Sequence, residues 1–282
     1  MFVVIRGGGD LAYGIALRLH NAGFCIAMTE IAAPLAVRRA VCFSQAVYEG
    51  RTQVEDVSAV LVKDEAGMRA AWHPAGAGKR QIAIFIDPSA AIVEKFKPAA
   101  IVDAIMAKEN TGTKITSAPI VIGVGPGFTA GLDCHAVIET KRGHSLGRVI
   151  VEGSALPNTG VPGDIAGFTV ERLLRSPADG VFEACFSIGD SVKKDDTVAL
   201  VRFAQSLAFS GETVATAENM FPIIAKIDGI LRGILPSGVF VKQGMKAGDV
   251  DPRCERAHCF SVSDKALAVG GGVLEALLRF SS

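Results

Sequence analysis

What this chain lacks narrows its identity first. It carries no net charge: Lys plus Arg and Asp plus Glu both number 29. No general electrostatic pull therefore draws it to nucleic acid or to an anionic membrane, and any charged site has to be local. None of its six cysteines, Cys25, Cys42, Cys134, Cys185, Cys254 and Cys259, forms a C-x-x-C pair. A chain of 282 residues, 49% of them hydrophobic, can build a core without disulfides, so the pattern fits a reducing, cytoplasmic setting. No apolar run reaches the roughly 18 residues of a membrane span. The apolar start, Met1 to Ile5, is too short for a signal peptide. The expectation is a cytoplasmic protein with neither nucleic-acid nor membrane partners, and a homo-oligomer stays open.

Glycine is abundant, with 31 residues, many clustered between apolar runs. The first cluster is the most informative. "FVVIR" (2–6) reads as a buried strand, "GGGD" as a turn, Leu11 to Asn21 as a helix, and "FCIAMTE" (24–30) as a second strand. That is one parallel β–turn–α–β unit. Gly7, Gly9 and Ala12 fit G-x-G-x-x-A. Gly7, Gly8 and Gly9 would let a phosphate approach the backbone at the helix N-terminus, and Glu30 would stand at the second strand's end for a ribose hydroxyl. Asp10, inside the same loop, would repel a pyrophosphate. Further strands are expected at 40–47, 57–63, 81–87, 99–106 and 119–128, with a short helix at 89–96. The predicted fold class is α/β, with a Rossmann-like domain and a parallel sheet over residues 1–165.

A second glycine loop follows the last of these strands. Gly125 and Gly127 flank Pro126, which suits a type II turn, and their backbone could form an anion nest. "CHAVIET" (134–140) then alternates as a strand with His135, Glu139 and Lys141 on one face. Arg142 and His144 sit in the next turn. Lys141, Arg142 and His144 are thus candidates for holding an anionic group, with His135 and Glu139 as candidates for proton transfer. No usual metal spacing is present. Cys254, His258 and Cys259 in "CERAHC" match no zinc pattern.

The C-terminal part repeats itself. "DGVFEACFSIGDSVKK" (179–194) and "DGILRGILPSGVFVKQ" (228–243) align without a gap at an offset of 49. Asp179 matches Asp228, Gly180 matches Gly229, Gly189 matches Gly238, Val192 matches Val241 and Lys193 matches Lys242. Two such β half-motifs resemble the barrel-sandwich hybrid of lipoyl and biotinyl carriers. Residues 166–282 are therefore expected to form a β-rich, barrel-sandwich-hybrid-like domain with a C-terminal helix. No lysine lies between Lys194 and Lys226, where a carrier hairpin would place one. "SDKA" (263–266) reads as a helix start capped by Ser263, so neither lipoate nor biotin is expected.

The blocks "RGGGDLAYGIALRLHNAGF", "MTEIAAPLAVRRAVCFSQAVYEG", "GVGPGFTAGLDCHAVIETKRGHSLGRVI", "GSALPNTGVPG" and "SDKALAVGGGVLEALL" resemble the accessory proteins of the selenium-dependent molybdenum hydroxylase system. The resemblance spans nearly the whole chain. It implies a maturation factor whose partner is a molybdenum hydroxylase and whose small phosphate-bearing ligand is a molybdopterin-type cofactor or a nucleotide. It implies no catalytic residue. An NAD(P)-dependent oxidoreductase and a non-enzymatic adaptor docking on a molybdoenzyme remain alternative readings.

Overall fold

The computed structural model describes residues 1–76, 78–160, 163–203 and 219–281. Residues 161–162 of the block "GSALPNTGVPG", and 204–218 of the lysine-free stretch, lie outside the described residues. The chain divides into two compact units, Met1–Gly160 with Phe260–Ser282, and Val161–Cys259. The boundary expected at 165/166 placed the C-terminal helix with the β-rich part; that helix belongs to the first unit.

Unit 1 contains β1 (Phe2–Arg6), α1 (Asp10–Asn21), β2 (Cys25–Glu30), α2 (Ala46–Glu49), β3 (Arg51–Val54), β4 (Val57–Leu61), α3 (Glu65–Trp72), β5 (Ile82–Ile86), α4 (Ile92–Phe96), β6 (Ala100–Asp103), β7 (Ile120–Val124), β8 (Thr129–Ala130), β9 (Ala136–Ile138), β10 (Val149–Ile150), β11 (Gly153–Ser154) and, from the far end of the chain, α5 (Asp264–Phe280). Nine strands form one sheet in the order β10-β9-β7-β6-β1-β2-β5-β4-β3. The seven inner strands run parallel, but β10 and β3 are antiparallel to their neighbours. The expected all-parallel sheet is thus corrected to a mixed one. At one edge the cause is local: Glu55 and Asp56 alone join β3 to β4, with Glu55 left-handed at φ 52, and a two-residue link can only return the chain antiparallel.

The inner strands are continuous apolar runs because both faces are covered. α1 and α5 pack on the face that carries Ile5, Met28 and Val102. Met68 and Trp72 of α3 and Ile92 of α4 pack on the face with Val4, Ala27 and Ile101. α1 and α5 touch through glycine: a Cβ on Gly14 would stand 2.5 Å from Ala266 O, and one on Gly270 would stand 2.5 Å from Gly14 O. The stretch 40–47, expected as a strand, is 3₁₀ turns leading into α2. Its apolar residues are buried by packing on α1, where Phe43 meets Tyr13 edge-on at 4.9 Å between ring centroids.

Unit 2 contains β12 (Leu173–Arg175), β13 (Gly180–Ala184), β14 (Ser191–Val192), β15 (Thr197–Phe203), β16 (Asn219–Ile224), β17 (Gly229–Ile234), β18 (Phe240–Val241), β19 (Lys246–Asp251) and a 3₁₀ turn, Arg256–Cys259. In place of the expected barrel-sandwich hybrid stand two four-stranded antiparallel sheets, β16-β15-β13-β18 and β12-β19-β17-β14. Equivalent contacts recur at the offset of 49. Gly180 pairs with Val241, and Gly229 pairs with Val192. The Asp179 carboxylate accepts Gln243 N–H at 2.7 Å, and the Asp228 carboxylate accepts Lys194 N–H at 2.8 Å. Each half supplies the acid that holds the other half's turn, which explains why Asp and the Lys-bearing bend recur together.

Candidate functional site

The order of the nine-stranded sheet reverses beside β1. β2 lies on one side of it and β6 on the other. Ligands of open α/β sheets gather outside the carboxyl ends of the strands at such a switch point. Here that edge carries the Gly7–Gly9 turn, the start of α1 and the start of α5. Gly9 is the α1 N-cap, and no side chain caps that helix. The first backbone bond of α1 runs from Tyr13 N–H to Gly9 O at 2.8 Å. Among the described residues, the N–H groups of Gly9, Asp10, Leu11 and Ala12 have no protein partner. α5 begins alongside, with Ser263 Oγ accepting Ala266 N–H at 3.2 Å. Lys265 is half-buried here, and burial lowers its pKa first, with Asp10 and Glu139 pulling the other way and Arg142 adding to the drop.

The protein's own carboxylates already occupy part of this edge. Glu30 Oε1 accepts Gly8 N–H at 2.7 Å, and its Oε2 accepts Ile31 N–H at 3.0 Å. Burial raises the Glu30 pKa, and the two N–H bonds only partly offset it. Gly8 is tight: a Cβ there would meet Ser44 N at 2.9 Å. Asp10 pairs with Arg38 at 3.4 Å. Cys42, buried beside them, has its thiol pushed well above the ordinary range, by burial above all.

The second glycine loop lies close to the first. A Cβ on Gly7 would meet Ala104 O at 3.1 Å, and one on Gly127 would meet Glu109 backbone at 2.7 Å. The segment 104–109 therefore runs between the two loops. Gly125 donates its N–H to Ile138 O at 2.9 Å, and a Cβ on it would meet Thr140 Oγ1 at 2.9 Å. Both Gly125 (φ 80) and Gly127 (φ 107) are left-handed. This loop is used for close packing, and its glycines have that reason to be there.

The charged cluster around 135–144 is not gathered in one place. His135 Nδ1 accepts Val121 N–H at 3.0 Å, and its ring lies 5.8 Å from Phe280, at the end of α5. Arg142 makes a two-pronged ion pair with Asp264, at the start of α5, at 2.7 and 3.0 Å. Sixteen helical residues separate those contacts, about 24 Å at 1.5 Å each. His135, a candidate for proton transfer, and Arg142, a candidate for holding an anion, therefore stand at opposite ends of α5 and do not share one site. Glu139 is 2% exposed, and its two oxygens accept Lys141 N–H at 2.7 Å and Leu156 N–H at 2.8 Å. It pins two turns. Lys141 and His144 are exposed.

Sequence reasoning missed Arg6, Asp103 and Thr113. By alternation Arg6 and Asp103 lie on the α3 side of the switch point, and Thr113, from the loop after β6, meets them there. Arg6 Nη1 donates to Asp103 Oδ2 at 2.8 Å and to Thr113 Oγ1, which itself donates to Asp103 Oδ2 at 2.6 Å. All three are buried, and Arg6 Nε has no partner among the described residues. The available signal was a single acid closing an otherwise apolar strand, "AIVD". Elsewhere, Cys254 is exposed and Cys259 buried, and no three metal-ligating side chains come together among the described residues. No helix among the described residues is long and apolar enough to cross a membrane.

No family model matches the chain. A relative from Escherichia coli (strain K12), described as "Uncharacterized protein YqeB", is 46% identical over 276 residues. That match covers 98% of this chain and 47% of the relative, so the chain spans about half the length of the curated relative it matches. Among solved structures, an aspartoacylase family protein from Mesorhizobium loti is 14% identical, with a TM-score of 0.27 and coverage of 88% of this chain and 83% of that one. A succinylglutamate desuccinylase/aspartoacylase from Rhodobacter sphaeroides is 14% identical, with a TM-score of 0.28 and coverage of 88% and 84%. The ectoine utilization protein EutE (DoeB) from Ruegeria pomeroyi is 12% identical, with a TM-score of 0.23 and coverage of 80% and 57%. Scores this low carry no argument about this chain.

Proposed function

We propose that this chain is an accessory factor in the maturation of selenium-dependent molybdenum hydroxylases, working in the cytoplasm and holding a small phosphate-bearing molecule at the first turn of α1. The observation that carries the ligand reading is the run of four N–H groups, Gly9 to Ala12, without a protein partner at the switch point. A phosphate there would accept several of them and lie along the helix dipole. Lys265 supplies a nearby cation. Glu30 already takes the Gly8 N–H, so the free donors begin at Gly9 and serve one phosphate group at the helix N-terminus rather than two along the loop. The reading therefore favours a monoester, the form in which molybdopterin carries its phosphate, over a dinucleotide. The hydroxylase role rests on the resemblance of the sequence blocks quoted above.

Two measurements test this. Calorimetric titration with AMP and with NAD should show AMP binding the more tightly; no heat from either at millimolar concentration overturns the ligand reading. Removing the chain from a host that makes such a hydroxylase should abolish that enzyme's activity while its polypeptide level stays unchanged. Full activity overturns the maturation role.

A further inference from the structure

The buried side chains at the carboxyl edge of the nine-stranded sheet leave one pair of donors unused. In the strand register Asp103 of β6 stands beside Arg6 of β1, and Arg6 stands beside Thr29 of β2. Paired residues of parallel neighbours share a face, so the three side chains form a row on the α3 side. Asp103 is fully engaged. Its Oδ2 accepts Arg6 Nη1 at 2.8 Å and Thr113 Oγ1 at 2.6 Å, and its Oδ1 accepts Ile105 N–H at 3.2 Å. Arg6, only 6% exposed, is not. Its Nη1 makes every bond it has, and among the described residues Nε and Nη2 donate to nothing. Nε–H and the Nη2–H beside it are the two parallel prongs of the guanidinium fork. Thr29, 4% exposed, has no partner for its hydroxyl among the described residues either.

Unused donors on a buried charged group cost free energy, and a guest that supplies acceptors relieves that cost. Charge decides which acceptors fit. The Asp103 carboxylate already balances the guanidinium, so a carboxylate or phosphate in the fork would leave a net negative charge among buried groups. Two neutral acceptors side by side fill both prongs and add no charge. An oxo oxygen next to a ring nitrogen is such a pair, and arginine recognises guanine O6 and N7 in this way. The surroundings suit a flat ring. Ile31, Ile86 and Ile105, at the ends of β2, β5 and β6, are 43%, 48% and 40% exposed. Ile31 adjoins Glu30, which holds Gly8, and a Cβ on Gly7 would stand 3.1 Å from Ile105 Cα. The two isoleucines thus flank the glycine turn with apolar surface. Gly9 leaves the way over the turn clear, since nothing lies within 4 Å of where its Cβ would be.

We propose that the molecule bound at the first turn of α1 carries a fused, oxo-substituted ring, and that Arg6 Nε and Nη2 donate to its oxo oxygen and the adjacent ring nitrogen, with the Thr29 hydroxyl as a third donor. This rests on the phosphate reading above and names the part of the ligand that a phosphate site leaves open. Calorimetric titration of the full-length protein with GMP, IMP and AMP tests it. GMP and IMP share O6 beside N7, whereas AMP has an amino donor in place of the oxygen. GMP and IMP should therefore bind about tenfold or more tighter than AMP. Arg6→Lys keeps a cation beside Asp103 but removes the fork, so GMP affinity should fall to that of AMP. Thr29→Val keeps the shape of the side chain and should narrow the GMP preference severalfold. AMP binding as tightly as GMP overturns this inference and leaves the phosphate reading standing; no heat from any of the three at millimolar concentration overturns both. A preference for GMP that IMP does not share moves recognition to the 2-amino group and overturns the fork, as does a preference that survives Arg6→Lys. If Arg6→Lys does not fold, the Thr29→Val arm decides alone, and an unchanged preference there overturns the proposal.

Discussion

Both units use carboxylates to hold backbone turns, but they advertise it differently. In unit 1, Glu30 holds Gly8 and Glu139 holds Lys141 and Leu156. Each acid occurs once, and each lies in a glycine-rich setting that reads equally well as a ligand loop. In unit 2, Asp179 and Asp228 hold each other's turns, and because the job is done twice the residues recur at a fixed offset. A repeated residue reports a structural duty, since two sites must satisfy the same geometry. A motif that occurs once leaves ligand and scaffold undistinguished until the partners of its N–H groups are known.

The comparison can be broken most forcefully at Asp103. Asp103→Ala strands the buried Arg6 guanidinium and should cost about 3–5 kcal/mol in chemical denaturation; a loss below 1 kcal/mol would mean the pair is solvated. Next comes Glu139→Ala, which leaves two N–H groups without their acceptor. A loss of about 2–3 kcal/mol is expected by the same method, and a neutral outcome would return Glu139 to the list of ligand groups.

Glu30 offers a test by pH. Its folded-state pKa is raised, so the folded protein binds this proton more tightly than the unfolded chain does. Stability from this group therefore falls as pH rises from the ordinary glutamate range through the raised value. Measured against Glu30→Gln, the native protein should gain relative stability on acidification from neutral pH toward about 4.5. A difference flat with pH would show that Glu30 is not buried in solution. In unit 2 the opposite trend is expected of Asp251. Burial there is outweighed by Arg253 and Arg232, which hold its pKa to about 2, so its contribution is lost progressively as pH falls from the ordinary aspartate range through about 2.

Smaller still should be Asp179→Ala and Asp228→Ala, whose shifts in melting temperature should match each other in sign and size; a marked inequality would break the equivalence of the two halves. Smallest is Arg142→Ala. Its partner Asp264 is largely exposed, so stability should change by less than about 1 kcal/mol, and AMP affinity should hardly move because the guanidinium is already engaged.

The inner strands of unit 1 were legible because parallel strands buried on both faces must be apolar throughout. The position of Glu30 was legible too, at the end of β2 beside the glycine turn, but its partner was not: nothing in the spacing distinguishes a ribose hydroxyl from Gly8 N–H. The stretch 40–47 misled because Phe43 and Val41 are apolar for the sake of α1, and burial alone does not say against what. His135 and Arg142 looked like neighbours because strand alternation speaks of faces and not of ends. The place of α5 was illegible for a different reason. Gly14 and Gly270 explain each other only once the two helices are seen together, and 256 positions of chain separate them.

That separation has a consequence for how the molecule is made. At ribosomal speeds of about 5–20 residues per second, α1 emerges on the order of ten seconds or more before α5, and all of unit 2 is synthesised between them. Throughout that interval Gly14 of α1 and the apolar side chains around it wait for a neighbour not yet translated. The nascent first unit is thus an incomplete body with a sticky flank, a natural client for a chaperone, and a premature stop anywhere in 161–263 would leave it in that condition permanently.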